Sequence, residues 1–273
     1  DLLLAETYFD MAELYNLYAR HEEYITMLTK AFEIADREGH EYFPGILLYY
    51  KLAGMCKAAF HINSYRESIH YGNRALALRS RLKTPPDART EIFVYDLVGF
   101  SYKLLKQPDS SIFYYRAVQQ VLAGMDTGTV FHELWSAIAR GNIGENLSAR
   151  GNTVAAEPLL NQWERAGIVF GDSANIALAR HAQAANYFRK GEYDKALERW
   201  LYVFEWSREQ KLFTNAAVAA EGIASVYRRK GRVDDAFFYF RQSQVYNDSL
   251  TAFNNRSGLP ADQASVKVEN LQQ

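Results

Sequence analysis

Along most of this chain apolar residues recur at spacings of three and four, the period of one helix face, with polar residues between them. The pattern predicts a run of amphipathic helices. Short junctions carrying Gly, Pro, Asn or Asp break it at intervals. Three of these junctions repeat one phrase: Arg150-Gly151-Asn152-Thr153-Val154-Ala155-Ala156, Lys190-Gly191-Glu192-Tyr193-Asp194-Lys195-Ala196 and Lys230-Gly231-Arg232-Val233-Asp234-Asp235-Ala236. In each, a basic residue and a Gly close one periodic stretch, and an Ala falls five residues after that Gly, inside the next. Glycines at 151, 191 and 231 give a period of 40 residues, and a fixed period of this size marks a helical solenoid.

Tyr187 and Tyr227 each stand four residues before a junction Gly, and Leu147 takes the same place before Gly151. Matching the flanking patterns backward adds Tyr102, Ala59 and Tyr18, with steps of 41, 43, 45, 40 and 40 residues from 18 to 227. Six helix-turn-helix units follow, over 2–38, 41–82, 88–123, 129–170, 173–209 and 212–250. The array thus fills 1–250, and 251–273 reads as a C-terminal tail or connector.

A small residue recurs three positions before the anchor, at Cys56, Gly99, Gly144, Ala184 and Ala224, where two helices can approach closely. Tyr15 breaks this rule in the first unit, so either its packing or its register differs there. Second helices pair a small residue with a large one a turn later: Ser111 with Tyr115, Ala156 with Leu160, Ala196 with Trp200, Ala236 with Phe240. Pro158 falls near the start of its helix, where a missing N–H costs least.

These features resemble the tetratricopeptide repeat, over roughly residues 2 to 250 and most clearly in Ala177 to Tyr246. The resemblance implies an all-α fold, an α-α superhelix of about six repeats. The usual unit of that family has about 34 residues, and units of 40 to 45 imply a long-helix variant in which both helices gain about a turn. The irregular linkers Lys83-Thr84-Pro85-Pro86-Asp87 and Gly124-Met125-Asp126-Thr127-Gly128 account for the longest steps. Past Tyr246 the period fades. Asn247-Asp248-Ser249-Leu250 resembles the end of the repeat array in sensor proteins of Bacteroidetes-type bacteria, where such a domain precedes a membrane helix and a histidine kinase or DNA-binding output domain. In that family the segment continues as one charged helix, whereas Asn254-Asn255-Arg256-Ser257-Gly258-Leu259-Pro260 is expected to interrupt it here, before a short terminal helix or frayed tail over Ala261 to Gln273.

Charge and composition narrow the partners. The 31 basic and 32 acidic residues leave a net charge of −1, so no global field favours nucleic acid or an anionic membrane. The single cysteine, Cys56, excludes an intrachain disulfide and a Cys-based metal site. Apolar runs stop well short of the ~18–20 residues of a membrane helix, and the start, Asp1 to Tyr8, lacks the marks of a signal peptide. The chain begins at Asp as an excised or processed piece would, so membrane attachment is expected only through segments outside it.

Candidate chemistry is sparse. His21, His40, His61, His70, His132 and His181 form no ligand-spaced pair and read as isolated surface or groove residues. Gly141-Asn142-Ile143-Gly144 lies inside a helical pattern and is no phosphate loop, and Val98-Gly99-Phe100-Ser101-Tyr102 lacks the context of a nucleophile elbow. Acidic pairs such as Glu22-Glu23 and Asp234-Asp235 suit the start of second helices. A non-enzymatic protein without metal or cofactor is the expectation.

What remains is a second stripe on each first helix, nine, six and two residues before the anchor and one after. In tetratricopeptide arrays this stripe lines the inner groove. By that resemblance the groove takes Phe9 and Asn16; Tyr50, Lys57 and Phe60; Phe93, Asp96, Phe100 and Lys103; Ile138 and Glu145; Leu178, His181 and Phe188; and Glu221 and Arg228. Two readings stay open: aromatics that fill space between long helices, or a concave site that uses them for contact area and a few charges for orientation. The clamp that holds a C-terminal carboxylate in chaperone-binding arrays is not matched, because Asn16 and Lys57 are isolated and Ala12, Ala53 and Asp96 stand where further donors belong.

The array implies a domain that binds a protein, a peptide or a small ligand. The resemblance near Asp248 implies the input (sensor) module of a bacterial two-component or related signalling protein, with an extracytoplasmic (periplasmic) location. The alternatives are a structural scaffold for protein–protein assembly, homodimers included, and a cytoplasmic peptide-regulated protein of quorum-sensing type.

Overall fold

The computed structural model describes residues 2–38 and 44–257, and their regular secondary structure is helical throughout. Among these residues α1 (Leu2–Leu17) is followed by α2 (His21–Glu38), α3 (Gly45–His61) by α4 (Tyr65–Arg79), and α5 (Ala88–Leu104) by α6 (Pro108–Leu122). Next come α7 (Val130–Ala149) and α8 (Thr153–Phe170), α9 (Ser173–Lys190) and α10 (Tyr193–Glu209), and α11 (Phe213–Arg229) and α12 (Val233–Ser257). These make six consecutive helix-turn-helix pairs among the described residues. The first helices run from 16 residues in α1 to 20 in α7, so the stretched period lies in the helices. Helix α8 continues unbroken past Pro158.

The turn inside every pair has one geometry. The anchor carbonyl accepts the N–H five residues on: Ser64 to Ala59, Gln107 to Tyr102 and Asn152 to Leu147 at 2.9 Å each, Glu192 to Tyr187 at 2.9 Å and Arg232 to Tyr227 at 3.0 Å. The residue between them lies in the left-handed region, with φ of 86°, 79° and 72° at Gly151, Gly191 and Gly231 and of 61° and 58° at Asn63 and Lys106. This is the Schellman cap, which satisfies carbonyls a helix end would otherwise leave unpaired. It also corrects the first unit. There the Arg20 N–H bonds to the Tyr15 carbonyl at 2.9 Å and the left-handed residue is Ala19 (φ 53°), so the anchor is Tyr15 and not Tyr18, which is 72% exposed. The small residue three positions earlier is then the buried Ala12, as in the other units. A slip of three residues keeps nearly the same helix face, so apolar spacing alone could not exclude it. With this shift Phe9 and Asn16 keep stripe positions, six before and one after Tyr15, but Phe9 is no open groove residue: it is buried edge-on against Phe32, with ring centroids 6.0 Å apart.

The helices gather into two compact units, Asp1–Asn146 and Leu147–Gln273. In the first, Leu28, Tyr49, Met55, Cys56 and Val98 form a continuous core with Ala12 and Ala75. In the second, Trp200, Val203, Phe204, Ile223 and Val226 pack against Ala184, Ala196, Ala216 and Ala220. The expected small positions at Cys56, Gly99, Gly144, Ala184 and Ala224 are all buried. The small–large pairs of the second helices are buried too, except the last: Ala236 is half-buried and Phe240 is exposed. Of the interruption expected over Asn254–Pro260, Asn254 to Ser257 are still part of α12, while 258–273, like His40, lie outside the described residues. Among the described residues no helix is long and apolar enough to cross a membrane.

Candidate binding groove

In the first unit the stripe residues of α3, α5 and α7 converge. Phe60 and Phe100, one on α3 and one on α5, meet edge-to-face at 5.6 Å, and Phe60 also meets His61 at 6.2 Å and Tyr65 at 5.8 Å. Two turns before Phe100 along the same face, Phe93 stands edge-on to Trp135 of α7 at 5.0 Å and stays 48% exposed. Tyr50 is also exposed, and its hydroxyl accepts the Asp87 N–H at 3.2 Å, fixing the linker into α5.

The charges among these rings are ordered by their neighbours. Lys103 donates to Asn142 Oδ1 at 2.8 Å and to Glu145 Oε2 at 2.9 Å, and its ammonium lies 4.0 Å from the centre of the Phe100 ring. Asn142, which the periodicity did not single out, bonds back to the Ile138 carbonyl at 3.1 Å and so presents its oxygen to Lys103. Asp96 is half-buried, and burial lifts its carboxyl to about 6, with the Tyr115 hydroxyl and Lys103 acting the other way. Lys57 is exposed, near the stacked imidazoles of His21 and His61, whose rings are 5.0 Å apart. Burial is the main cause that lowers the pKa of both imidazoles, joined at His21 by His61 and then Lys57 and at His61 by Lys57, which favours their neutral forms.

The second unit uses the same stripe differently. His181 Nδ1 accepts the indole N–H of Trp200 at 3.2 Å, and Phe188 packs on Trp200 and Tyr193 at 5.8 and 5.5 Å. These two stripe residues lie on the rings of α10. Glu221 and Arg228 are both exposed on α11 and line a separate groove with α12. The stripe is therefore not one surface of uniform character.

A polar cluster of the second unit had no counterpart in the sequence reading. Glu164 of α8 accepts from Arg180 Nε at 2.6 Å and Arg199 Nη1 at 2.8 Å on one oxygen, and from Gln183 Nε2 at 2.9 Å on the other. The Arg180 guanidinium covers the Tyr202 ring at 3.8 Å. Burial alone would raise the Glu164 carboxyl, but Gln183, Arg180 and Arg199 outweigh it and hold it below the usual range. The partners lie 16, 19 and 35 residues away in sequence, so no local spacing signals them.

No family profile and no curated protein matches this chain. Solved structures do. BtubC from P. vanneervenii superposes with a TM-score of 0.57 at 14% identity, over 90% of this chain and 92% of that one. A Rap protein complexed with competence and sporulation factor gives 0.59 at 14% identity, over 92% of this chain and 66% of its own. A STAND signal-transduction ATPase with a tetratricopeptide repeat sensor, from Pyrococcus horikoshii, gives 0.61 at 14% identity, over 94% of this chain but only 37% of its own. The fold of the chain is that of the tetratricopeptide-like helical repeats.

Proposed function

We propose that this tetratricopeptide-like repeat chain is a non-catalytic binding module that holds an extended peptide or protein segment against α3, α5 and α7, as the input part of a bacterial signalling protein. The observation that carries the binding reading is the run of aromatic rings on consecutive first helices, Phe60 to Phe100 and Phe93 to Trp135, flanked by the Lys103–Asn142–Glu145 arrangement. Rigid rings supply contact area at little entropic cost, and preset charges orient a chain laid across them. Asp96 and Lys57 add one acidic and one basic contact for polar groups of the bound segment. The chemistry suits a peptide of mixed character better than a strongly charged polymer. The similar Rap structure contains a bound factor, and the similar STAND protein carries its repeats as a sensor; both support an input role.

Random peptides displayed on phage and selected on the purified chain test this. Selected peptides should bind the Phe60→Ala/Phe100→Ala variant at least about tenfold more weakly, as truncation of central aromatic contacts does. The circular dichroism spectrum should be unchanged. Equal affinity for both proteins would remove this groove from consideration. The scaffold alternative draws on a different observation, the uncovered face of α12.

A further inference from the structure

The second unit ends in a face that its own described residues leave open. On α12, Val233, Phe237 and Phe240 are 72%, 61% and 51% exposed, and with Glu221, Ala224, Ser225 and Arg228 of α11 they line a groove of about 380 Å³. One repeat earlier the corresponding face is covered. Ala184, Ala196 and Trp200 are buried there beneath α11, and Trp200 is only 6% exposed against 51% for its counterpart Phe240. Among the described residues, no helix is laid on this helix-packing surface.

We infer that a second copy of this chain covers this face, with α11 and α12 of the two copies packed antiparallel about a two-fold axis. The charge pattern points to that occupant. Glu221 and Arg228 lie seven residues apart on one face of α11, both exposed, and neither has an ion-pair partner among the described residues. An isologous contact brings residue i of one copy to residue j of the other and the reverse. With the axis passing between Ala224 and Ser225, Glu221 of each copy meets Arg228 of its mate. The same axis passes between Ala236 and Phe237, because both points are equally far from the Lys230–Gly231 turn. The small side chains of Ala224, Ser225 and Ala236 then allow close approach at the centre, and the phenyl rings of Phe237 and Phe240 interdigitate beside it.

The size fits. Two half-exposed phenyl rings and a valine offer on the order of 300 Å² of apolar surface per copy. A face of two paired helices about 25 Å long supplies a polar rim towards the roughly 800 Å² per partner of a standard interface.

The test is sedimentation analysis of the full chain and four variants. The native chain should dimerise. Glu221→Arg and Arg228→Glu should each raise the dimer dissociation constant at least about tenfold, since each sets like charges opposite one another twice. Both positions are exposed, so circular dichroism and melting of dilute samples should not change. Mixing the two single variants one to one should restore dimers, as should the double charge exchange in one chain, because the two-fold arrangement rebuilds both pairs. Phe240→Ala should weaken dimerisation without lowering the melting point of the dilute protein. A native chain that stays monomeric overturns the inference. So does a dimer indifferent to both charge reversals, or a dilute monomer strongly destabilised by Phe240→Ala, which would show that the chain covers this face itself.

Discussion

Two carboxylates with opposite surroundings give this protein opposite responses to acid. Asp96 is held by burial near a pKa of about 6, above its ordinary 3.8, so its folded form binds a proton more tightly than its unfolded form. Its ionisation therefore costs stability as pH rises from about 4 to 6. Asp96→Asn should stabilise the protein at pH 7 by about 1–3 kcal/mol and flatten that part of the profile, read by urea denaturation at several pH values. Glu164 is the reverse case: its carboxyl lies below the ordinary 4.5, so its contribution is complete above that value and fades as pH falls below it. With a side chain only 12% exposed and three donors around it, Glu164→Gln should cost about 1–3 kcal/mol at pH 7. The same change should cost progressively less as pH falls below the ordinary carboxylate range. Neither residue's role was legible from the chain. Spacing put Asp96 on the stripe, but its burial and the Tyr115 hydroxyl beside it belong to the folded packing, and the partners of Glu164 are scattered over two other helices.

At the level of helices and turns, one capping geometry recurs with different residues in the left-handed position. Three first-helix turns use Gly there, and three use Ala19, Asn63 and Lys106. A side chain at this φ carries a cost of roughly 1 kcal/mol that Gly escapes. Ala19→Gly and Lys106→Gly should each stabilise by about 0.5–1 kcal/mol, and Gly191→Ala should destabilise by about as much; equilibrium denaturation measures all three. This explains what could be read in advance. The later units announced themselves because Gly marks the turn. The first did not, because Ala19 carries no such mark, and the register there slipped from Tyr15 to Tyr18.

On the scale of the whole molecule, repeats share stability chiefly with their sequence neighbours, so damage should stay local. A Cβ on Gly222 would lie 2.5 Å from two ring atoms of Trp200, a contact neither a helix backbone nor a packed indole can relieve cheaply. Gly222→Ala, which raises helix propensity, should nonetheless destabilise by about 1–3 kcal/mol. In hydrogen exchange read by mass spectrometry, α10 to α12 should lose protection while α3 and α4 keep theirs; uniform loss would show one cooperative body. The contrast separates two kinds of information. Helix type, the number of repeats and their stretched period were determined by the sequence itself, because helical periodicity and turn chemistry are settled within a few residues along the chain. Which stripe residues lie open and which pack was decided only by the tertiary structure: Phe93 and Lys57 stay accessible, His181 and Phe188 lie against Trp200, and Phe237 and Phe240 are left uncovered. Burial depends on partners that arrive from tens of residues away, and an apolar residue reads the same in sequence whether or not a helix comes to cover it.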